Sequence, residues 1–295
     1  MSAIPDPQHS LTASGNLRRR QLTSRFFVGA TVSAAAIAVI VLVILVYYVA
    51  KQGLSVMSLS FFTSNLPGYD GQGGGIGPAL VGTMELVVIA TLIALPVGVL
   101  TALYLTQYAG PRPDRIIRMM IDLMAGLPTI IAGVFVAGLI TNSVGPSALA
   151  GGLALSVVEV PLIARASLES ISRVPPTLVE AADALGVARW RGILGVILPT
   201  ASNGIVTATI LAVARASGET APLLFTSELF TQQLSLNPRS SVASVPLVIF
   251  QFLEAGYPAS VAKAWGAAFT LMAVILAANI GARVWLRRSQ RKRGL

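Results

Sequence analysis

Six stretches of the chain, at about 26–50, 78–105, 119–141, 148–165, 204–225 and 261–285, are apolar over the length a helix needs to cross a membrane. Crossing the ~30 Å hydrocarbon core takes roughly 20 residues at 1.5 Å each. In lipid the backbone N–H and C=O groups find no water, so each stretch is committed to a helix that bonds within itself. The expected fold class is therefore all-α: a polytopic membrane protein with six transmembrane helices. Composition agrees, with 54% hydrophobic and only 11% charged residues, where a soluble domain carries about 25% charged. The first stretch follows a polar head, is too long for a signal-peptide core and lacks a small-residue cleavage site, so it reads as a retained anchor.

Charge gives the direction. With the N-terminus inside, the cytoplasmic segments hold seventeen of the 21 basic residues. Arg18, Arg19, Arg20 and Arg25 lie in the head, Arg112, Arg115 and Arg118 between the second and third spans, and Arg165, Arg173, Arg189 and Arg191 between the fourth and fifth. Six more run from Arg283 to Arg293, against Lys51, Arg239 and Lys263 outside and Arg215 expected buried in the fifth span. The positive-inside rule then places both termini in the cytoplasm. The same distribution explains a pI near 10.6 without nucleic acid. Tyr47, Tyr48, Tyr104, Tyr108, Trp265 and Trp285 stand at span ends as interfacial anchors.

Several chemistries are excluded. The chain has no cysteine and one histidine, His9, in the polar head, so a thiolate metal site, a zinc protease motif and a Ser-His-Asp triad are ruled out. None of the three lysines follows a G-x-x-x-x-G pattern, so the chain has no phosphate-binding loop for ATP. No cofactor is expected on this chain; if ATP and magnesium drive it, a partner binds them. The outer stretch GYDGQGGGIG (68–77) reads as a flexible extracytoplasmic linker, and VPLVIF (245–250) as a re-entrant or interfacial segment too short to span. No internal repeat is evident.

The cytoplasmic segment 166–203 holds a short helix signature. Thr177 and Glu180 have the spacing of a capping box, and Gly186 stands where a left-handed residue closes a helix. Leu178, Ala181, Ala182 and Leu185 then form one stripe, which either packs on the chain's own loops or docks into a partner's groove. EAADALG (180–186), nine residues, then VILP (196–199) resembles the EAA loop of bacterial ABC importer permeases, with Val196 in place of the usual isoleucine. That resemblance implies a type I ABC importer permease (MetI-like) core over 78–286 and a coupling helix, with Glu180, Ala181, Ala182 and Gly186, held by a dimer of separate ATPase subunits. The remaining layout is a basic tail (1–25), a first helix (26–50), a Gly-rich outer loop (51–77) and a second basic tail (287–295).

ARASGETAPLLFT (214–226) is similar to the fifth helix of PstA-type permeases of phosphate importers, as are GIGPALVGT (75–83), PLIARASLESISRVP (161–175) and SVPLVIFQF (244–252). The family usually has acidic residues three and four positions after the arginine of the third stretch; here Leu168 precedes Glu169. The resemblance implies permeation of inorganic phosphate, with a PstC-type sister permease, an extracytoplasmic phosphate-binding protein and membrane lipid as partners. Another oxyanion is the alternative substrate.

Physics gives the buried charges work apart from any family. Arg215 falls eleven residues into the expected 204–225 span, about 16 Å deep, where a charge costs about 2.5–3.5 kcal/mol and must face protein or water. Either it forms a packing ion pair with Glu219, or it lines the path as counter-charge to an anion while Glu219 limits how tightly that anion is held. Pro222 is expected to weaken the helix at the carbonyl of Gly218, where a gate would bend. Arg165 is a second path candidate; Asp122 has either Arg165 or loop arginines as partner, and Glu85 and Glu159 receive no role. An ion-coupled carrier is disfavoured because Glu219 is the one acid clearly placed deep, and inverted repeats are missing.

Overall fold

A computed structural model describes residues 15–68, 70–227 and 234–292. His9, most of the N-terminal head, Arg293 and the side chain of Trp285 lie outside the described residues. The chain divides into two units, 1–50 and 51–295.

In the first unit, α1 (Gly15–Gly53, whose last residues belong to the second) is one long helix starting well before the expected 26. Its apolar side chains, Phe26, Ile37 and Leu42 among them, are exposed, as suits a helix surrounded by lipid.

In the second unit, α2 (Leu59–Thr63) is capped by Ser58, whose hydroxyl accepts from the Phe61 amide. The glycine-rich stretch after it is a packed loop, contrary to the linker expected. The Gly75 amide bonds the Asn65 carbonyl at 2.7 Å and that of Ile76 bonds Phe61 at 2.7 Å, while the Lys263 ammonium donates to the carbonyls of Gly73 and Gly74. A Cβ on Gly75 would lie 2.3 Å from the Phe61 carbonyl oxygen, so the glycine is there for close backbone approach.

The centre of the unit is α3 (Gly77–Gln107) against α7 (Ala148–Ser172). Ala90, Ala94, Gly98 and Ala102 recur every fourth residue on α3, and all four are buried. With lipid outside there is no hydrophobic gain from association, so close packing of small residues has to hold helices together. A Cβ on Gly98 would meet Ile163 at 2.9 Å. Wholly buried in this layer is Glu159, which accepts from the Thr91 hydroxyl at 3.2 Å and leaves Oε1 unpartnered. The expectation that only Glu219 lies deep is thus corrected.

The third span is broken. α4 (Pro111–Gly126) and α5 (Thr129–Val136) meet at 98°, and a π-helical segment (Ala137–Thr141) leads into α6 (Asn142–Val144). Proline bars its predecessor from the helical region, and Leu127, before Pro128, is extended at φ −69°, ψ 137°. The expected continuous span over 119–141 ran through this proline.

α8 (Pro176–Ala184) is the short helix expected between the fourth and fifth spans. The capping box is not formed: Pro175 is the N-cap, no side chain bonds the first turn, and Thr177 is exposed. Proline at N1 needs no partner for a missing N–H, which removes the demand the box would meet. The other end follows expectation. Gly186 is left-handed (φ 69°), its amide bonds the Asp183 carbonyl and that of Val187 bonds Ala182, a Schellman closure.

The fifth span starts earlier and ends earlier than 204–225. It runs from α9 (Arg189–Gly192) through a π segment (Ile193–Ile197) into α10 (Leu198–Ala216). After a turn comes one turn of helix, α11 (Leu223–Thr226). α12 (Val245–Ala255) is short and buries Val245, Leu247, Val248 and Phe252, and α13 (Pro258–Lys292) is the last span. Among the described residues, five helices are long and apolar enough to cross a membrane, or six if the bent third pair counts as one.

Candidate functional site

The end of α10 and the break of the third span come together. Arg215 occupies the last turn of α10, and the amides of Gly218 and Glu219 bond the carbonyls of Arg215 and Ala216 at 3.0 and 3.1 Å in the turn that follows. This corrects the picture of a charge buried mid-helix, because Ser217 and Gly218 end the helix before Glu219. The Arg215 side chain is 55% exposed and that of Glu219 17%. Their ion pair, Nε to Oε1 at 3.3 Å, therefore straddles a helix end.

Pro222 does not bend a continuing helix; it precedes α11 after the chain has already turned. Its place is fixed by contact with α5: a Cβ on Gly133 would lie 2.6 Å from both Cα and the carbonyl oxygen of Pro222. Only glycine lets the two backbones approach so closely.

Beside this contact is a cavity of about 290 Å³. Leu127, Pro128 and Thr129 of the break, Val158 and Leu162 of α7, and Arg215 line it. Arg215 is the sole charged residue of the lining. The guanidinium stands at the carbonyl end of α10, a position the helix macrodipole favours for a cation.

Arg165 lies one turn beyond Leu162 on α7 and outside the cavity lining. Its Nη2 bonds Asp122 Oδ1 of α4 at 2.5 Å, which decides the partner of Asp122. Both side chains are exposed, so the pair ties α4 to α7 at a surface, and Arg165 is not brought together with Arg215. Sequence reasoning missed Pro128 and Gly133; the Gly-Leu-Pro run at 126–128 was the signal available.

On α8, Val179 and Ala182 face the chain's own Ile193–Ile197 segment, whereas Leu178, Glu180, Ala181 and Leu185 are exposed, Leu185 by 82%. The stripe therefore does not pack on its own loops, Ala182 excepted. Gly186 is exposed as well.

The family model "binding-protein-dependent transport system inner membrane component" matches residues 94–292. The chain is 33% identical over 272 residues to the probable phosphate transport system permease protein PstA of Methanocaldococcus jannaschii, covering 91% of this chain and 95% of that protein. It is 34% identical over 268 residues to PstA of Haemophilus influenzae, covering 90% and 94%. Among solved structures, a chain of a bacterial alginate ABC transporter shares the fold at a TM-score of 0.63 and 17% identity, over 92% of this chain and 96% of that one. One of the MetNI methionine ABC transporter, inward facing, does so at 0.57 and 20%, over 72% and 94%. The chain belongs to the binding-protein-dependent transport system inner membrane component family, among its PstA-type permeases.

Proposed function

We propose that this chain is the membrane-spanning permease through which inorganic phosphate enters the cytoplasm, driven by ATP hydrolysed on a separate ATPase. The observation that carries the reading is Arg215: one guanidinium lining an otherwise uncharged cavity, where a broken span meets a broken helix end. Such a group attracts an anion. Glu219 at 3.3 Å and the carbonyl end of α10 offset that attraction, so the anion pauses rather than stays. The names of the relatives support phosphate as the anion.

As a family member the chain is a multi-pass inner-membrane transport subunit, of a kind that works with an ATPase and a binding protein. We assign the exposed Glu180, Ala181 and Leu185, closed by Gly186, to the ATPase dimer, which binds ATP and magnesium. A PstC-type sister permease lies beside the chain, a phosphate-binding protein docks outside, and both termini face the cytoplasm. Phosphate entry opposes the membrane potential by about 2.3 kcal/mol per charge per 100 mV, so accumulation requires the ATPase.

The test is uptake into vesicles holding both permeases and the ATPase, with binding protein added. Phosphate should accumulate only with ATP and binding protein. Accumulation driven by an imposed ion gradient without the ATPase would overturn the reading.

A further inference from the structure

A larger cavity, about 880 Å³, runs along the C-terminal half of α3, between it and the span that begins at Arg189. Its α3 wall extends from Leu95 to Tyr108, about 20 Å at 1.5 Å per residue. That length suits one leaflet, whose share of the hydrocarbon core is about 15 Å. Val99, Leu103, Ile193, Leu198 and Ile205 make the walls apolar.

Charge gathers at one end only. Tyr108 and Trp190 stand there; the Arg189 guanidinium lies 4.8 Å above the Tyr108 ring and that of Arg191 5.1 Å from the Trp190 ring. Arg189 also donates to the Gln107 carbonyl at the end of α3. Neither arginine takes part in an ion pair among the described residues. Aromatic rings in membrane proteins concentrate at headgroup level. Basic pockets between helices on the cytoplasmic side take anionic headgroups.

We propose that this groove binds an anionic phospholipid of the inner leaflet, an acyl chain lying along α3 and the headgroup phosphate at Arg191 and Arg189. The inference rests on the cytoplasmic placement of residues 166–203 in the function proposed above. Neither guanidinium finds its counter-charge among the described residues, and an apolar covering helix would not bring one. A lipid phosphate supplies that charge at the depth where the arginines sit.

The experiment uses the assembled complex in nanodiscs containing a trace of phosphatidylglycerol or phosphatidylcholine with a photoactivatable acyl chain, and maps labelled peptides. Segments 95–108 and 189–206 should be labelled several-fold more by phosphatidylglycerol. Arg191→Gln should reduce that labelling to the phosphatidylcholine level, whereas Arg191→Lys should retain the preference; co-elution of the subunits checks assembly of each. Equal labelling of the parent complex by the two lipids overturns the proposal, since it marks unselective contact. So does absence of label from both segments while α1 is labelled, since a protein then covers the groove. No transport is measured, so failure here leaves phosphate import standing, and failure of uptake leaves the lipid preference standing.

Discussion

A guanidinium in the last turn of a helix lies beside that helix's unpaired carbonyls, and Arg215 has that position with Glu219 across the turn. The pairing of the two residues was legible from their spacing. Their depth was not, because the expected helix ran on through Ser217 and Gly218, where α10 has already ended. Glycine followed by proline is a helix-stop signal, yet the apolar run Ala221–Phe225 outweighed it in a scan for hydrophobic length. Two residues without a role in the sequence acquire one in the packing. Gly133→Ala puts a methyl within 2.6 Å of Pro222, and overpacking of this kind costs about 1–3 kcal/mol. A lowered melting temperature of the purified complex, with slower uptake, is expected. Glu159 is wholly buried with Thr91, so it is a deep acid of the sort ion-coupled carriers use. In an ATP-driven permease Glu159→Gln should keep the hydrogen bond and leave ATP-dependent uptake close to that of the parent chain. Loss of uptake with normal assembly would favour ion coupling.

Among the elements, the short helix α8 is the one its sequence describes best and worst at once. Its closing glycine and its length are as the spacing indicates, while its start is set by Pro175 and Pro176 rather than by Thr177 and Glu180. Glu180 is thereby free of capping duty and exposed, which suits a role in docking. A side chain at Gly186 meets φ 69°, where non-glycine residues lose about 1–2 kcal/mol. Gly186→Asp or Glu180→Arg should lower co-purification of the ATPase or uncouple its hydrolysis from phosphate-loaded binding protein. Retained stimulation would remove the helix from the coupling role. The third span shows the opposite case. Hydropathy alone passes over the break at Pro128, because a broken pair is as apolar as a straight helix; only the proline's effect on Leu127 tells them apart.

For the whole molecule, the all-helical fold class followed from segment length and the absence of water in lipid; of the six expected spans five are single helices and the third is a bent pair, and the asymmetry of basic residues is the ground for the orientation proposed above. The chain has no cysteine, so single-cysteine variants report sidedness cleanly. An impermeant maleimide should label Arg239→Cys in intact cells and Ser289→Cys only after permeabilisation; the reverse pattern would invert the topology. What patterning does not convey is how the packed α3–α7 layer brings α5 against Pro222 and opens a small cavity onto Arg215, since that depends on glycines and alanines meeting across helices. The conduit is where the account is most exposed to test. Initial rates of ATP-dependent phosphate uptake should be compared for vesicles bearing the parent complex and its Arg215→Gln variant, after confirming that both contain all subunits. Uptake by the variant should fall to the level seen without ATP. An unchanged rate from a fully assembled Arg215→Gln complex would contradict an anion path at this arginine.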